Sequence, residues 1–124
     1  MTDAFSMVLP VDLTTPRAAR DAVAERFGTE ARCGDLVLCI SEVVTNAVRH
    51  AGTVGRMTVS RDRHILTVEV ADGSRDLPVR RPPSSIAASG RGLRILDQLA
   101  LQWGTRRTSD GKIVWFEFDL TTSA

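Results

Sequence analysis

The sequence predicts an α+β fold, a two-layer α/β sandwich with three helices on one face of a mixed, mostly antiparallel sheet. Segments of period-two alternation predict the strands, and segments of 3.6-residue periodicity predict the helices. Their order is strand, helix, helix, strand, strand, long loop, helix, strand, strand. Because single strands and single helices do not alternate, this order disfavours a Rossmann fold.

The length and charge balance limit the classes of function. A chain of 124 residues predicts one domain that spans residues 1–124. Sixteen basic and fifteen acidic residues give a net charge of +1, which argues against direct nucleic-acid binding as the main activity. The N-terminus lacks a signal-peptide pattern, and apolar runs stay below the roughly 18 residues of a membrane span. We therefore expect a cytoplasmic protein without membrane contact.

The N-terminal third predicts a strand and two helices. Residues 5–11 alternate as a strand, and the stretch Thr14-Thr15-Pro16 offers a threonine cap and a first-turn proline for a helix that ends at Gly28. Asp35 is suited to cap the second helix. Apolar residues of that helix cover more than one stripe, so we expect burial on most of its sides, with Cys33 and Cys39 as buried free thiols.

The second helix carries two polar residues that need an explanation. Glu42 and Asn46 lie four residues apart within the stretch ISEVVTNAVRHAG, which ends at Gly52. Residues at this spacing share a helix face, so the carboxylate and the carboxamide can point at one ligand.

A β-hairpin follows the second helix. Residues 57–70 alternate with one buried face on either side of a turn at residues 62–64. Continuing the buried parity places Asp72 on the core side, where a carboxylate is either satisfied by the fold or kept for a ligand. Gly73 and Ser74 fit a turn and also fit close approach of a ligand to the backbone.

The C-terminal part begins with a long loop at residues 75–89, a length typical of functional or mobile segments. The segment Gly90 to Leu93 then opens a third helix, and its glycines leave backbone N–H groups available to a phosphate. Arg91 within that turn is either a cationic contact to phosphate or a solvated side chain. Two more strands are predicted at residues 101–108 and 113–120.

Together these pieces resemble the Bergerat-type ATP-binding fold of histidine kinases, DNA gyrase, Hsp90 chaperones and MutL, over residues 35–118. The stretches SEVVTNAVRHAG, GRGLRILDQLA and GKIVWFEF are most similar to the anti-sigma factor serine kinases. This resemblance implies ATP and Mg²⁺ as ligands, with Glu42 as the catalytic base and Asn46 as the metal ligand. Asp72 would accept a hydrogen bond from the adenine amine. The implied nucleotide-binding positions are Asn46, Asp72, Ser74, Gly90, Arg91, Gly92 and Leu93.

The chain departs from the pattern of the resembled family at two places. The first glycine box, commonly Asp-x-Gly-x-Gly, has Ser74 and Asp76 at its glycine positions. A Gly-Thr pair commonly precedes the last strand, where this chain has Gly111 and Lys112. The threonine contact to the base must therefore come from elsewhere or be absent.

The resemblance implies a regulator of transcription that sequesters a sigma factor and phosphorylates a serine or threonine of an anti-sigma factor antagonist. It also implies a homodimer. The altered glycine box keeps a second interpretation open, a non-catalytic module in which nucleotide binding only controls partner exchange. A third is a relic of the fold that binds no nucleotide.

Overall fold

The computed structural model describes residues 2–51, 55–73 and 89–121. Its elements follow the predicted order, with β1 shifted toward the N-terminus relative to the predicted strand. Their bounds are β1 Thr2–Leu9, α1 Thr15–Phe27, α2 Cys33–Ala51, β2 Gly55–Asp62, β3 Ile65–Asp72, α3 Ser89–Leu99, β4 Gln102–Arg107 and β5 Lys112–Asp119.

The five described strands form one sheet in the order β1-β2-β3-β5-β4. Each neighbouring pair among them is antiparallel, which confirms the predicted antiparallel character of the sheet. A two-residue turn of Arg63 and His64 joins β2 to β3. The end of β3 lies beside the start of β5, although about 40 residues separate them, because Asp72 is the register partner of Lys112.

The sheet has one buried face and one open face. On β3 the side chains of Leu66, Val68 and Val70 are buried, whereas those of Thr67 and Glu69 on the opposite face are only half-buried. The buried face packs against the helices, mainly through α2 on β3. Burial of each large apolar side chain contributes about 1.5–3 kcal/mol, so this layer is the main source of stability. The predicted two-layer sandwich is confirmed.

The start of α1 differs in detail from the expected cap. Thr14 occupies the cap position but makes no side-chain bond to the helix. Its backbone N–H and its hydroxyl both donate to Asp12 Oδ1 at 2.7 Å. The backbone bond, followed by the hydroxyl bond, holds the pKa of Asp12 below its usual value.

Helix α2 buries one face rather than most sides. Leu38 is 43% exposed, and Glu42 and Asn46 are half-buried, so the expectation of burial on most sides is wrong. Asp35 is not a cap, because the helix already begins at Cys33. The buried face of α2 consists of Leu36, Cys39, Ile40, Val43, Val44 and Ala47.

Among the described residues, none of the helices combines the length and hydropathy that a membrane span requires.

Arg32, just before α2, joins three elements from a buried position. Its guanidinium donates to the backbone oxygen of Asp119 at 2.8 Å and to that of Leu99 at 3.3 Å. It also pairs with Asp35 at 3.3 Å and lies 4.4 Å from the ring centroid of Phe118. One cation therefore links the start of α2, the end of α3 and the end of β5.

The two cysteines are free thiols, as expected. Cys39 is buried on α2 as expected, whereas Cys33 is only half-buried. Burial raises the pKa of the Cys39 thiol to about 12, with a further increase from Asp35 that Arg32 partly offsets. Cys39 is therefore an uncharged core residue at neutral pH.

Candidate functional site

Asp72 lies at the buried end of the central strand β3, as its parity predicts. Its side chain is 1% exposed. The neighbouring strands approach the backbone here at glycines: a Cβ on Gly111 would lie 1.9 Å from the carbonyl oxygen of Asp72, and one on Gly55 would lie 2.4 Å from that of Ala71. Any larger residue would push the strands apart, so both glycines hold the backbone tightly around Asp72.

Lys112 is the partner of Asp72, and the sequence did not reveal this contact. Its Nζ donates to Oδ1 at 3.1 Å and lies 3.1 Å from Oδ2, with the lysine side chain 7% exposed. The carboxylate is thus partly satisfied by the fold. A carboxylate offers about four lone-pair sites, so it can accept more than one hydrogen bond. The missed signal was parity: Lys112 precedes Val114 by two residues and so points to the same buried face.

Glu42 and Asn46 share one flank of α2. Arg20 of α1 donates to Ser41 Oγ at 3.0 Å, so the flank that carries Ser41 faces α1. Since successive residues rotate by about 100° around a helix, Glu42 and Asn46 turn away from that flank. Both side chains are half-buried, neither enclosed in the core nor fully in solvent. The geometry thus brings them to one face, as predicted, and leaves them accessible to a ligand.

The predicted phosphate segment is described only in its backbone. Gly90 and Gly92 belong to the first turn of α3. Gly90, the second residue of the helix, is among those whose N–H groups have no acceptor within the helix. Such a turn is suited to a phosphate oxygen. Ser74 and the loop at residues 75–88 lie outside the described residues, as do the side chains of Arg91 and Leu93. Their roles stay predictions.

The donor set fits a nucleotide with its metal. A buried carboxylate at the end of β3 suits an exocyclic amine, and an amide oxygen on α2 suits Mg²⁺, which prefers oxygen ligands and retains waters. In residues 2–51, 55–73 and 89–121 there is no cluster of three His, Cys, Asp or Glu residues to hold a metal by itself. A site built from Asn46 and phosphate oxygens does not require such a cluster.

An open groove of about 500 Å³ lies elsewhere, around the β2–β3 turn. Its lining includes Arg63, His64 and Glu117. It lies at the opposite end of β3 from Asp72, about 23 Å away at the usual rise per strand residue. This groove is therefore separate from the carboxylate that the sequence singled out.

The antiparallel sheet, the helical layer and the buried aspartate at the end of a central strand define an α+β domain with an open five-stranded sheet. The chain belongs to the histidine kinase-like ATPase domain family, whose model matches residues 9–118. No curated protein matches the chain.

Two solved structures share the fold. One contains the RsbU and RsbW domains of a Mycobacterium tuberculosis protein, with a TM-score of 0.69 and 17% identity over 98% of this chain. The other is the histidine kinase domain of a blue-light activated histidine kinase from Erythrobacter litoralis, with a TM-score of 0.58 and 23% identity over 86% of this chain. This chain spans 34% and 60% of those two chains, respectively.

Proposed function

We propose that the chain is an ATP- and Mg²⁺-binding regulator of the anti-sigma factor type, which sequesters a sigma factor and phosphorylates an antagonist protein on serine or threonine. The observation that carries the proposal is the buried Asp72 carboxylate at the end of β3, in a chain of an ATPase family. The fold shared with a structure containing an RsbW domain supports the regulatory part. We further propose that the protein acts in the cytoplasm as a homodimer.

Each side chain has a distinct part in nucleotide binding. Asp72 accepts a hydrogen bond from the exocyclic amine of adenine, and the same carboxylate repels the carbonyl oxygen of guanine. Asn46 would hold Mg²⁺ through its amide oxygen, and the metal would supply charge neutralisation. Gly90 and Gly92 offer the first turn of α3 to phosphate oxygens. Ser74, Arg91 and Leu93 are the further nucleotide-binding positions that we propose.

Glu42 acts as the base in phosphoryl transfer. The serine or threonine oxygen forms a bond to the terminal phosphorus of ATP, and the bond from that phosphorus to the β–γ bridging oxygen breaks. The hydroxyl proton passes to Glu42, and ADP leaves. The half-buried position of Glu42 suits this role, since the carboxylate is accessible to an incoming protein side chain.

Phosphate transfer tests the kinase part. Wild type is incubated with labelled ATP, Mg²⁺ and a candidate antagonist protein. We expect Glu42→Gln to retain ATP binding by calorimetry and to lower the transfer rate by about 100-fold or more. Glu25→Gln, an exposed change on α1, is the matched control and should transfer normally. Equal transfer rates in wild type and Glu42→Gln would remove Glu42 as the base.

A non-catalytic partner switch is the second candidate function. Ser74 and Asp76 in place of glycines, and Lys112 in place of the common threonine, favour it. In this case ATP binding alone controls the exchange of protein partners. Glu42→Gln would then leave release of the antagonist by ATP unchanged, whereas the kinase mechanism requires that it abolish this release, because the antagonist is no longer phosphorylated. A pull-down of the antagonist with and without ATP separates the two.

A further inference from the structure

Lys112 is chemically singular in this chain. It is the only lysine, against fifteen arginines, and it is buried beside Asp72. The exposed arginines of β4 lie close by, and Arg107 is the register partner of Lys112 on that strand. A compact ammonium at this position contacts one carboxylate at two equal distances of 3.1 Å. A buried ion pair of this kind is not, as a rule, a strong source of stability, so stability alone does not account for the lysine at this position.

The pair presents an acceptor and a donor side by side. Asp72 offers carboxylate lone pairs, and Lys112 offers ammonium N–H groups beyond the one directed at Oδ1. The Watson–Crick edge of adenine has the complementary pattern, because its exocyclic amine donates and the adjacent ring nitrogen N1 accepts. Guanine has the reverse pattern, with an accepting carbonyl and a donating N1–H. With Asp72 at the exocyclic group, guanine would place acceptor against acceptor and donor against donor.

We propose that Lys112 is a second base-reading residue, which donates to N1 of adenine while Asp72 accepts from the exocyclic amine. This inference rests on the proposed function, since it requires that an adenine nucleotide occupies the site. Adenine is then recognised at two points, by the carboxylate of Asp72 and by the ammonium of Lys112. A buried N–H donor of positive charge makes this contact strong.

The first test compares nucleotides on the wild-type protein. Calorimetry in the presence of Mg²⁺ measures the affinity for ATP and for 1-deaza-ATP, in which a C–H group replaces N1. We expect 1-deaza-ATP to bind about 10-fold to 100-fold more weakly, the usual effect of losing a hydrogen bond to a charged group. Equal affinities would overturn the proposal without any substitution in the protein.

The second test assigns the penalty to Lys112. In Lys112→Met, ATP should bind about 10-fold to 100-fold more weakly, and the difference between ATP and its 1-deaza analogue should disappear. Arg107→Met is the matched control, because it removes the same charge from the directly opposite strand position. It should retain the full 1-deaza penalty. Tighter ATP binding in Lys112→Met would mean that Lys112 competes with the base for Asp72, which overturns the proposal.

The third test observes Lys112 directly. Lysine labelled with ¹³C at Cε yields one side-chain resonance, since the chain has one lysine. ATP should shift this resonance, and inorganic tripolyphosphate, which lacks a base, should leave it in place. An equal shift with both ligands would place Lys112 near the phosphates and overturn the assignment. If wild type binds no ATP at all, the proposed function fails together with this inference. ATP binding with an unaltered 1-deaza penalty in Lys112→Met refutes the role of Lys112 alone.

Discussion

The two ends of β5 each hold a buried cation, and the two cations have different surroundings. At the C-terminal end, Arg32 contacts two backbone carbonyls and the ring of Phe118. At the N-terminal end, Lys112 contacts the carboxylate of Asp72. A planar guanidinium has five donors that match several fixed acceptors, whereas an ammonium is a compact charge with rotatable donors. The Arg32 end therefore joins secondary structure elements, and the Lys112 end is the one at which we propose that a ligand binds.

Removal of Arg32 is expected to have the largest effect on stability. In Arg32→Ala the buried bond to the carbonyl oxygen of Asp119, the part-buried bond to that of Leu99 and the packing against Phe118 are all lost. We expect the free energy of unfolding to fall by about 4 kcal/mol, since the loss of each hydrogen bond to a charged group costs about 1–3 kcal/mol. Urea unfolding followed by circular dichroism measures this change.

The control for Arg32 is another arginine that stacks on a phenylalanine. The guanidinium carbon of Arg26 lies 4.3 Å from the ring centroid of Phe5, but Arg26 is exposed. Arg26→Ala should lower the free energy of unfolding by less than about 1 kcal/mol, as is usual for exposed cation–π contacts. Equal losses in the two variants would mean that stacking, rather than the buried carbonyl contacts, accounts for the effect of Arg32.

Removal of Lys112 is expected to have a smaller effect, and one that a second substitution reverses. Lys112→Met preserves the length of the side chain but takes the ammonium from a buried carboxylate, so we expect a loss of about 3 kcal/mol. Adding Asp72→Leu should restore most of that stability, because apolar replacement of a whole buried pair is often neutral or stabilising. Thermal and urea unfolding of both variants check this.

The double variant also separates stability from ligand binding. We expect it to fold and to bind no adenine nucleotide, since both base-reading groups are gone. A double variant as unstable as Lys112→Met would mean that the pair joins structural elements in the way that Arg32 does. The contrast between the two ends of β5 would then not hold.

Sequence patterns predicted the Lys112 end of β5 better than the Arg32 end. The alternation of Leu66, Val68 and Val70 placed Asp72 on the buried face, and the structure confirms it. The ion pair depends on which strand lies beside β3, a long-range pairing that local periodicity does not contain. Arg32 was also missed, because it lies in a short connection between helices. Its burial results from acceptors on α3 and β5 that are more than 60 residues away in sequence.

In helix α2, the sequence predicted the shared face of Glu42 and Asn46 correctly but not the start of the helix. Glu42 and Asn46 were found because a spacing of four residues is a local property of a helix. The predicted start of the helix was wrong because aspartate is a residue type that often caps helices. In the structure the carboxylate of Asp35 accepts a hydrogen bond from Arg32 instead. Side-chain function at helix ends depends on tertiary partners, whereas the sharing of a helix face does not.

The smallest predicted effect is a pH dependence near the Arg32 end. Burial raises the pKa of Cys39 to about 12, above its ordinary value of 9.0, so the folded state retains a proton that the unfolded state loses above pH 9. Stability should therefore fall as the pH rises above about 9 toward the folded-state pKa, and the fall between pH 8 and 10 should amount to about 1.4 kcal/mol. Urea unfolding at pH 8, 9 and 10 should show this slope in wild type and in Cys33→Ala, and a shallower one in Cys39→Ala. Identical slopes in all three proteins would mean that the thiol of Cys39 ionises as readily in the folded chain as in the unfolded one.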